Sequence, residues 1–428
     1  MMAGMGEASM ERTWVMALRR LSRRMWGRLT LQSLAAVAFV IVAGALGQRA
    51  PELAGIDLGQ DSVTTILSVL ASSMLAVTTF SLTALISAYS SAARAATPRA
   101  TRLLIEDPTS QNALAGFLGA FVFAIAGIVA LASGYVAERG KILVFIGSLL
   151  VIAWVVVTLV RWIEHLTRFG RMADILDRVE DAAADTLRAH ARRPHLGGEP
   201  PRDPSGPVVA VGAERTGFLT VVAMDRLAAA ARDHGLRIHA RVVPGDDVRP
   251  GDTLALVEGG PDDAARTAVR DAFLVERHRT YEQDPRLGVV ALAEIASRAL
   301  SPSTNDQGTA IEVLGALQRV LADVQGVPEE RDVAHPCVHI ARVELDDLLV
   351  DGFRPIARDG AGVVEVGVRL QHALAGLAHA APAAKAAPIR AMAEEAARRS
   401  LSALTDPVDR DAVAEAAAAL LGGPPQAS

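Results

Sequence analysis

The chain has 428 residues, 51% of them hydrophobic and 21% charged, with a formal net charge of −5. So modest a charge, with basic residues scattered singly through the polar part of the chain, leaves no electrostatic footprint for nucleic acid. Cys337 is the sole cysteine, which excludes an intramolecular disulfide, and lysine occurs only at Lys141 and Lys385, which excludes a phosphate-loop lysine and a central Schiff-base lysine.

Residues 1–30 form a basic segment read as cytosolic, and the apolar residues concentrate between Leu31 and Trp162. A spanning helix needs about 20 mostly apolar residues to cross about 30 Å of hydrocarbon. Within 31–163, four stretches qualify, at 31–47, 62–88, 113–133 and 142–162, and none has a charged residue in its core. A central charge would cost roughly 2.5–3.5 kcal/mol. The first stretch is read as a span and not a cleaved signal, since its basic run begins too late and the small-residue cleavage pattern is poor.

Orientation follows from arginine placement. Arg19, Arg20, Arg23, Arg24 and Arg28 precede the first span, whereas the next loop has Arg49 against Glu52, Asp57 and Asp61. Arg94, Arg99 and Arg102 lie between the second and third spans, and Arg161 at the end of the fourth is followed by Arg168 and Arg171. Positive charge stays inside, so both termini are expected in the cytosol.

The second span carries Thr65, Ser68, Ser72, Thr79, Thr83 and Ser90 at helical spacing, along one stripe. Such a stripe suits close packing of membrane helices, the preferred reading, or a polar path through an oligomer. The helix is expected to run on from Ala88 to Thr97, with Pro98 as the break. Leu166, Phe169, Met172, Leu176, Val179, Ala183 and Leu187 extend the fourth span as a helical stripe to about His190. Residues 164–207 thus read as a helical extension and a Pro/Gly-rich linker.

The rest predicts a cytosolic α+β region. Residues 208–262 hold short β-prone runs at 208–211, 217–222, 237–243 and 253–257, with a helix at 225–233 and a turn at Pro244-Gly245-Asp246-Asp247. A small β-barrel or sandwich-like module is expected there. Residues 263–326 read as helical: Asp262 to His278 as one helix, a second from Asp284-Pro285 to Leu300, where aspartate caps and proline fills the first turn, and a third from Ile311 to Val324. Residues 333–428 form a C-terminal α/β and helical segment, alanine-rich from Val363 to Leu421. The fold class is mostly α: a four-helix transmembrane region followed by an α+β domain.

Several motifs are more specific: Ala76-Val77-Thr78-Thr79-Phe80-Ser81; Thr97-Pro98-Arg99 with Asp107; Thr216-Gly217-Phe218-Leu219; Arg279-Thr280 with Gln283-Asp284; and Ile295-Ala296-Ser297-Arg298-Ala299-Leu300-Ser301-Pro302 with Asn305-Asp306 and Thr309-Ala310. Together they resemble the bacterial predicted membrane proteins grouped as domain of unknown function 2254, over nearly the whole chain. Where that family reads Ser-Pro-Gly-Ile-Asn-Asp-Pro, this chain has Ser303, Thr304 and Gln307. The resemblance implies a multi-pass protein of the bacterial cytoplasmic membrane and carries no activity, substrate or cofactor.

Arg279, Asp284, Arg298, Asn305 and Asp306 bracket one helix, and two arginines near helix N-termini would suit an anionic ligand. Caps and ion pairs at a helix junction account for the same residues and are preferred. His335, Cys337 and His339 alternate as metal ligands on one strand face would, although an inward cysteine with edge histidines is the plainer reading and no metal is expected. No paired catalytic motif is present, so the chain is expected to be non-enzymatic, without cofactor, with the lipid bilayer and copies of itself as partners. The leading expectation is an oligomeric channel-like or transport-related protein with a cytosolic regulatory domain. The alternative is a membrane-anchored cytosolic ligand sensor or scaffold.

Overall fold

The computed structural model describes residues 25–47, 60–95, 97–105, 107–136, 138–330 and 333–421. Arg19, Arg20, Arg23, Arg24, Arg49, Glu52 and Asp57, which entered the orientation reading, lie outside the described residues. The chain divides into two compact units, one of Met1–Ala95 with Thr101–Asp174 and one of Ala96–Ala100 with Ile175–Ser428.

The first unit is helical. Its elements are α1 (Met25–Gly47), α2 (Gln60–Ala95), α3 (Pro98–Ile105) from Thr101 onward, α4 (Pro108–Ala132) and α5 (Glu138–Arg168). Four of its helices are long and apolar enough to cross a membrane. At 36 residues, α2 measures about 54 Å at 1.5 Å per residue, well beyond the hydrocarbon thickness. The centre of the unit is α4, whose Leu114, Ala115, Phe117, Ala120, Phe123 and Ala124 are buried. A Cβ on Gly127 would sit 2.9 Å from Leu67 Cδ1, so glycine is what lets α2 close on α4. Outward faces are apolar instead, with Leu31, Leu34, Val69, Phe80, Leu150 and Val160 all exposed. A surface of that kind needs lipid to cover it.

The fourth span does not continue as one helix. It stops at Arg168, Gly170 turns the chain at φ +78°, and α6 starts afresh at Met172 and runs to Arg192. The apolar stripe on both sides of the turn hides this break in the sequence.

In the second unit, the strands are β1 (Gly198–Glu199), β2 (Val208–Gly212), β3 (Gly217–Val222), β4 (Arg237–Ala240), β5 (Asp247–Val248), β6 (Thr253–Glu258), β7 (Phe273–Glu276) and β8 (His335–His339). They form a five-stranded sheet in the order β1-β8-β4-β6-β2 and a three-stranded sheet in the order β5-β3-β7. Neither closes, so the barrel expected at 208–262 is not formed, and the sheets also draw on residues before and after that interval. Helices α7 (Met224–His234) and α8 (Asp263–Arg270) share one buried core with both sheets, built on Leu219, Leu227, Ile238, Leu254, Val257, Val269, Phe273 and Val338. The helix expected at 262–278 therefore ends at Arg270. Beyond it the chain becomes β7, which pairs antiparallel with β3.

The remaining helices are α9 (Pro285–Ala299), α10 (Gln307–Asp323), α11 (Leu345–Asp359), α12 (Val364–Ala380), α13 (Ala386–Ala403) and α14 (Pro407–Leu421). Helix α6 packs on α9 so closely that a Cβ on Gly288 would meet Ala183 Cβ at 2.4 Å. A bidentate pair from Arg319 to Glu180 ties α10 to the same helix at 2.6 and 2.7 Å.

Candidate functional site

The six hydroxyl residues of the second span fall on α2 as a helical stripe requires, and all six face outward from the first unit. The face of α2 that packs inward is made instead by Val63, Leu67, Leu70, Met74, Ser81 and Leu85. Packing inside the four-helix unit therefore does not use these hydroxyls. Thr65, Ser72, Thr79 and Thr83 each donate to the carbonyl four residues back, at 2.7, 3.0, 2.9 and 3.0 Å. Their protons are thus committed to the helix, and their remaining lone pairs look outward.

A buried polar knot joins α2, α4 and α5 in the same unit. Trp162 Nε1 donates to Ser81 Oγ at 2.9 Å, with both side chains buried. One turn further along α5, His165 Nε2 lies 3.1 Å from Asp107 Oδ2 and 3.3 Å from Ser110 Oγ. Asp107 also caps α4 by accepting from the Ser110 backbone amide at 2.6 Å. A catalytic relay needs serine and aspartate on opposite ring nitrogens of the histidine. Here both approach the same nitrogen, so the cluster fastens helix ends and is not arranged as a relay. Trp162, His165 and Ser110 were not singled out in the sequence; the available signal was a tryptophan and a histidine three residues apart at the close of an apolar span.

In the second unit, Arg279 and Asp284 meet. Arg279 Nε and Nη2 donate to the Asp284 carboxylate at 2.6 and 2.9 Å, and the carboxylate also accepts from the amides of Arg286 and Leu287 at the start of α9. Gly245, at φ +103°, passes so close that a Cβ there would lie 2.8 Å from the same carboxylate. The N-terminus of α9 is thus already filled by the chain's own anion. Asn305 and Asp306 lie at the opposite end of α9, about 22 Å away along a 15-residue helix. Arg298 is exposed near that end and does not join Arg279. The five residues form two separate junctions and not one pocket.

The Ser301–Asp306 motif makes the bend between α9 and α10. Asn305 takes a left-handed conformation, φ 49°, which asparagine tolerates better than most residues. Asp306 caps α10, accepting from the Thr309 amide at 3.1 Å and the Thr309 hydroxyl at 2.6 Å. The hydroxyl donation, then the amide, hold its pKa below the usual carboxylate range.

His335, Cys337 and His339 sit on β8 but do not converge. His335 faces Asp225 at 3.6 Å, Cys337 packs against the core of the sheets, and His339 stacks on His239 with ring centroids 4.8 Å apart and planes 12° from parallel. Among the described residues no group of three or more His, Cys, Asp or Glu side chains is placed to hold a metal ion. His239 and His339 are both buried, and Glu258 lies 3.9 Å from His239 Nε2. Burial, followed by repulsion from His339, pushes the His239 pKa down, against the opposing pull of Glu258 and the Arg202 backbone. For Glu258, burial would raise the pKa, but donation from the Ser205 and Gly206 amides outweighs it and the net shift is downward.

Four apolar helices of spanning length, followed by a mixed α+β region, define a multi-pass membrane protein as the class. More particularly, the chain belongs to the family described as predicted membrane protein (DUF2254), whose model matches residues 22–376. It is 29% identical over 251 residues to an uncharacterized protein of Mycobacterium bovis and, equally, to one of Mycobacterium tuberculosis. Those matches cover 54% of this chain and 47% of each relative, so the chain spans about half the length of the curated relatives it matches. No solved structure matches it.

Proposed function

We propose that this chain is a non-enzymatic, homo-oligomeric, channel-like or transport-related protein of the bacterial cytoplasmic membrane, with its second unit as a cytosolic regulatory domain. The observation that carries this reading is the outward placement of Thr65, Ser68, Ser72, Thr79, Thr83 and Ser90 on α2. In a lone protomer that face borders hydrocarbon, whereas around an axis shared by several copies it borders a path. Because four of these hydroxyls give their protons to backbone carbonyls, the stripe presents oxygen lone pairs, a lining that favours cations over anions.

The arginines at 99, 102, 161, 168 and 171 support a cytosolic placement of these ends of the spans. In a Cys337→Ser background, Thr109→Cys at the exposed start of α4 is expected to react with an impermeant maleimide only after cells are opened. Labelling of intact cells would reverse the orientation.

Reconstitution of the purified chain in planar bilayers tests the function itself. Cation-preferring currents that weaken when Thr79 and Thr83 are changed to valine are expected. Electrical silence across voltage, membrane tension and salt would overturn the reading in favour of a cytosolic ligand sensor. That second reading has its own support: a cleft of about 270 Å³ in the second unit is lined by Arg215, Arg226 and Arg270 together with Glu214 and Asp271, with Glu214 paired to Arg270 at 2.7 Å, a polar setting for a small ligand.

A further inference from the structure

Residues 200–207 read Pro-Pro-Arg-Asp-Pro-Ser-Gly-Pro and join β1 to β2 without forming a strand of their own. Proline has no amide proton, so Arg202, Asp203, Ser205 and Gly206 carry all the amides of this segment. It is nevertheless fastened at both ends over one face of the five-stranded sheet. His339 Nδ1 donates to the Pro200 carbonyl at 3.0 Å. At the other end the Ser205 and Gly206 amides donate to Glu258 Oε1, the second at 3.1 Å, and the Ser205 hydroxyl lies 3.4 and 3.5 Å from the two carboxylate oxygens.

Beneath this strap lie His239 and His339, 2% and 4% exposed. The Arg202 backbone approaches the His239 ring, yet neither ring nitrogen completes a hydrogen bond among the described residues, and His339 Nε2 is in the same position. All three nitrogens are closed to water, so no ligand fits against them, whereas a proton needs no room. The groups that face His239 are His339 on β8, Glu258 on β6 at 3.9 Å, Arg237 two residues back on its own strand, and Arg202 on the strap. Arg237 Nη1 also donates to Glu258 Oε2 at 3.3 Å. Further out, Glu199 on β1 stands in register with His339, and Asp203 is exposed on the strap.

Neutral His239 leaves one donor and one acceptor unmet, but its cation would present two donors to the same closed space. The cation is the costlier form there, as the lowered pKa reflects. The opposite face of the sheet carries Ile238, Val257 and Val338 of the hydrophobic core, so the route to water runs through the strap. Glu258 is the one anion beside the ring, and it is also what holds Ser205 and Gly206.

We propose that residues 201–206 are an acid-released cover: when His239 takes up a proton, Glu258 turns to the imidazolium and gives up the Ser205 and Gly206 amides, and the strap lifts to admit water. This device lies wholly in the second unit and does not depend on conduction.

Hydrogen–deuterium exchange of the full-length protein in nanodiscs, read by mass spectrometry on the peptide of residues 200–207, follows the opening, with each rate divided by the intrinsic rate at the same pH. One histidine that titrates near 6.5 in the open strap, and lower in the closed one, raises the opening up to about 10-fold from pH 7.5 to 5.5. Peptides from β4 and β6 are expected to keep their protection over that range. His239→Phe keeps a ring in the stack with no proton to gain, and His239→Gln is a second non-titrating side chain; each is expected to lose most of the rise. Opening that stays flat with pH in the unaltered protein overturns the proposal, as does a rise undiminished in either variant. A rise shared equally by β4 and β6 marks unfolding of the sheet and overturns it too.

Discussion

Asp284 is 1% exposed and carries two obligations at once, the guanidinium of Arg279 and the first free amides of α9. Burying a carboxylate is tolerable only when such partners are complete. Asp284→Ala strips Arg279 of its carboxylate partner and uncaps α9, so a loss of about 3–5 kcal/mol is expected. Asp306→Ala removes a more exposed cap alone and should cost about 1 kcal/mol. Unfolding midpoints of the full chain in detergent check the order, and a D284A midpoint equal to that of D306A or of the unaltered protein would contradict it. The caps were legible in the sequence because aspartate before Pro285 or before a helical run has a local meaning. The contact of Asp284 with the Gly245 turn was not, since it joins positions that only the fold brings together.

Among the elements, the pairing of β4 with β8 has the clearest chemical consequence. The two strands run parallel with His239 in register opposite His339, so side chains on one face are neighbours and the rings stack. Burial first, and His339 second, depress the His239 pKa, so the fold prefers it neutral. The unfolded chain takes up that proton near the ordinary histidine value of about 6.5. The resulting stability is therefore present above that pH and is lost as pH falls below it. The melting temperature is expected to drop between pH 7.5 and 5.5, with a smaller drop for His239→Phe, which keeps an aromatic ring in the stack. Identical pH profiles for the two proteins would refute the assignment. Parallel pairing across a hundred residues leaves no local trace, which is why β8 could be read as a strand from its alternation but not placed in a sheet with β4. The strand β7 was missed for a related reason. Its four residues follow α8 directly, and only pairing with β3 decides their conformation. At Gly170 the sequence was misleading, because one glycine costs a helix only about 1 kcal/mol and the apolar stripe resumes beyond it.

At the scale of the whole molecule, polarity and length were enough to find the spans, because a 30 Å hydrocarbon layer imposes a length that few other constraints imitate. The same reasoning could not decide which face of α2 would be covered, since hydroxyl-rich stripes serve both packing and paths. In the folded unit that face is left outward. The measurement that tests the resulting account most directly is oxidative cross-linking in native membranes, in a Cys337→Ser background, with cysteine placed at Ser72 or Thr79 on the stripe or at exposed Val157 on α5. A ladder of disulfide-linked oligomers from the two stripe positions, and little from position 157, is the predicted result. Monomers alone from Ser72→Cys and Thr79→Cys, or equal linkage through position 157, would contradict it.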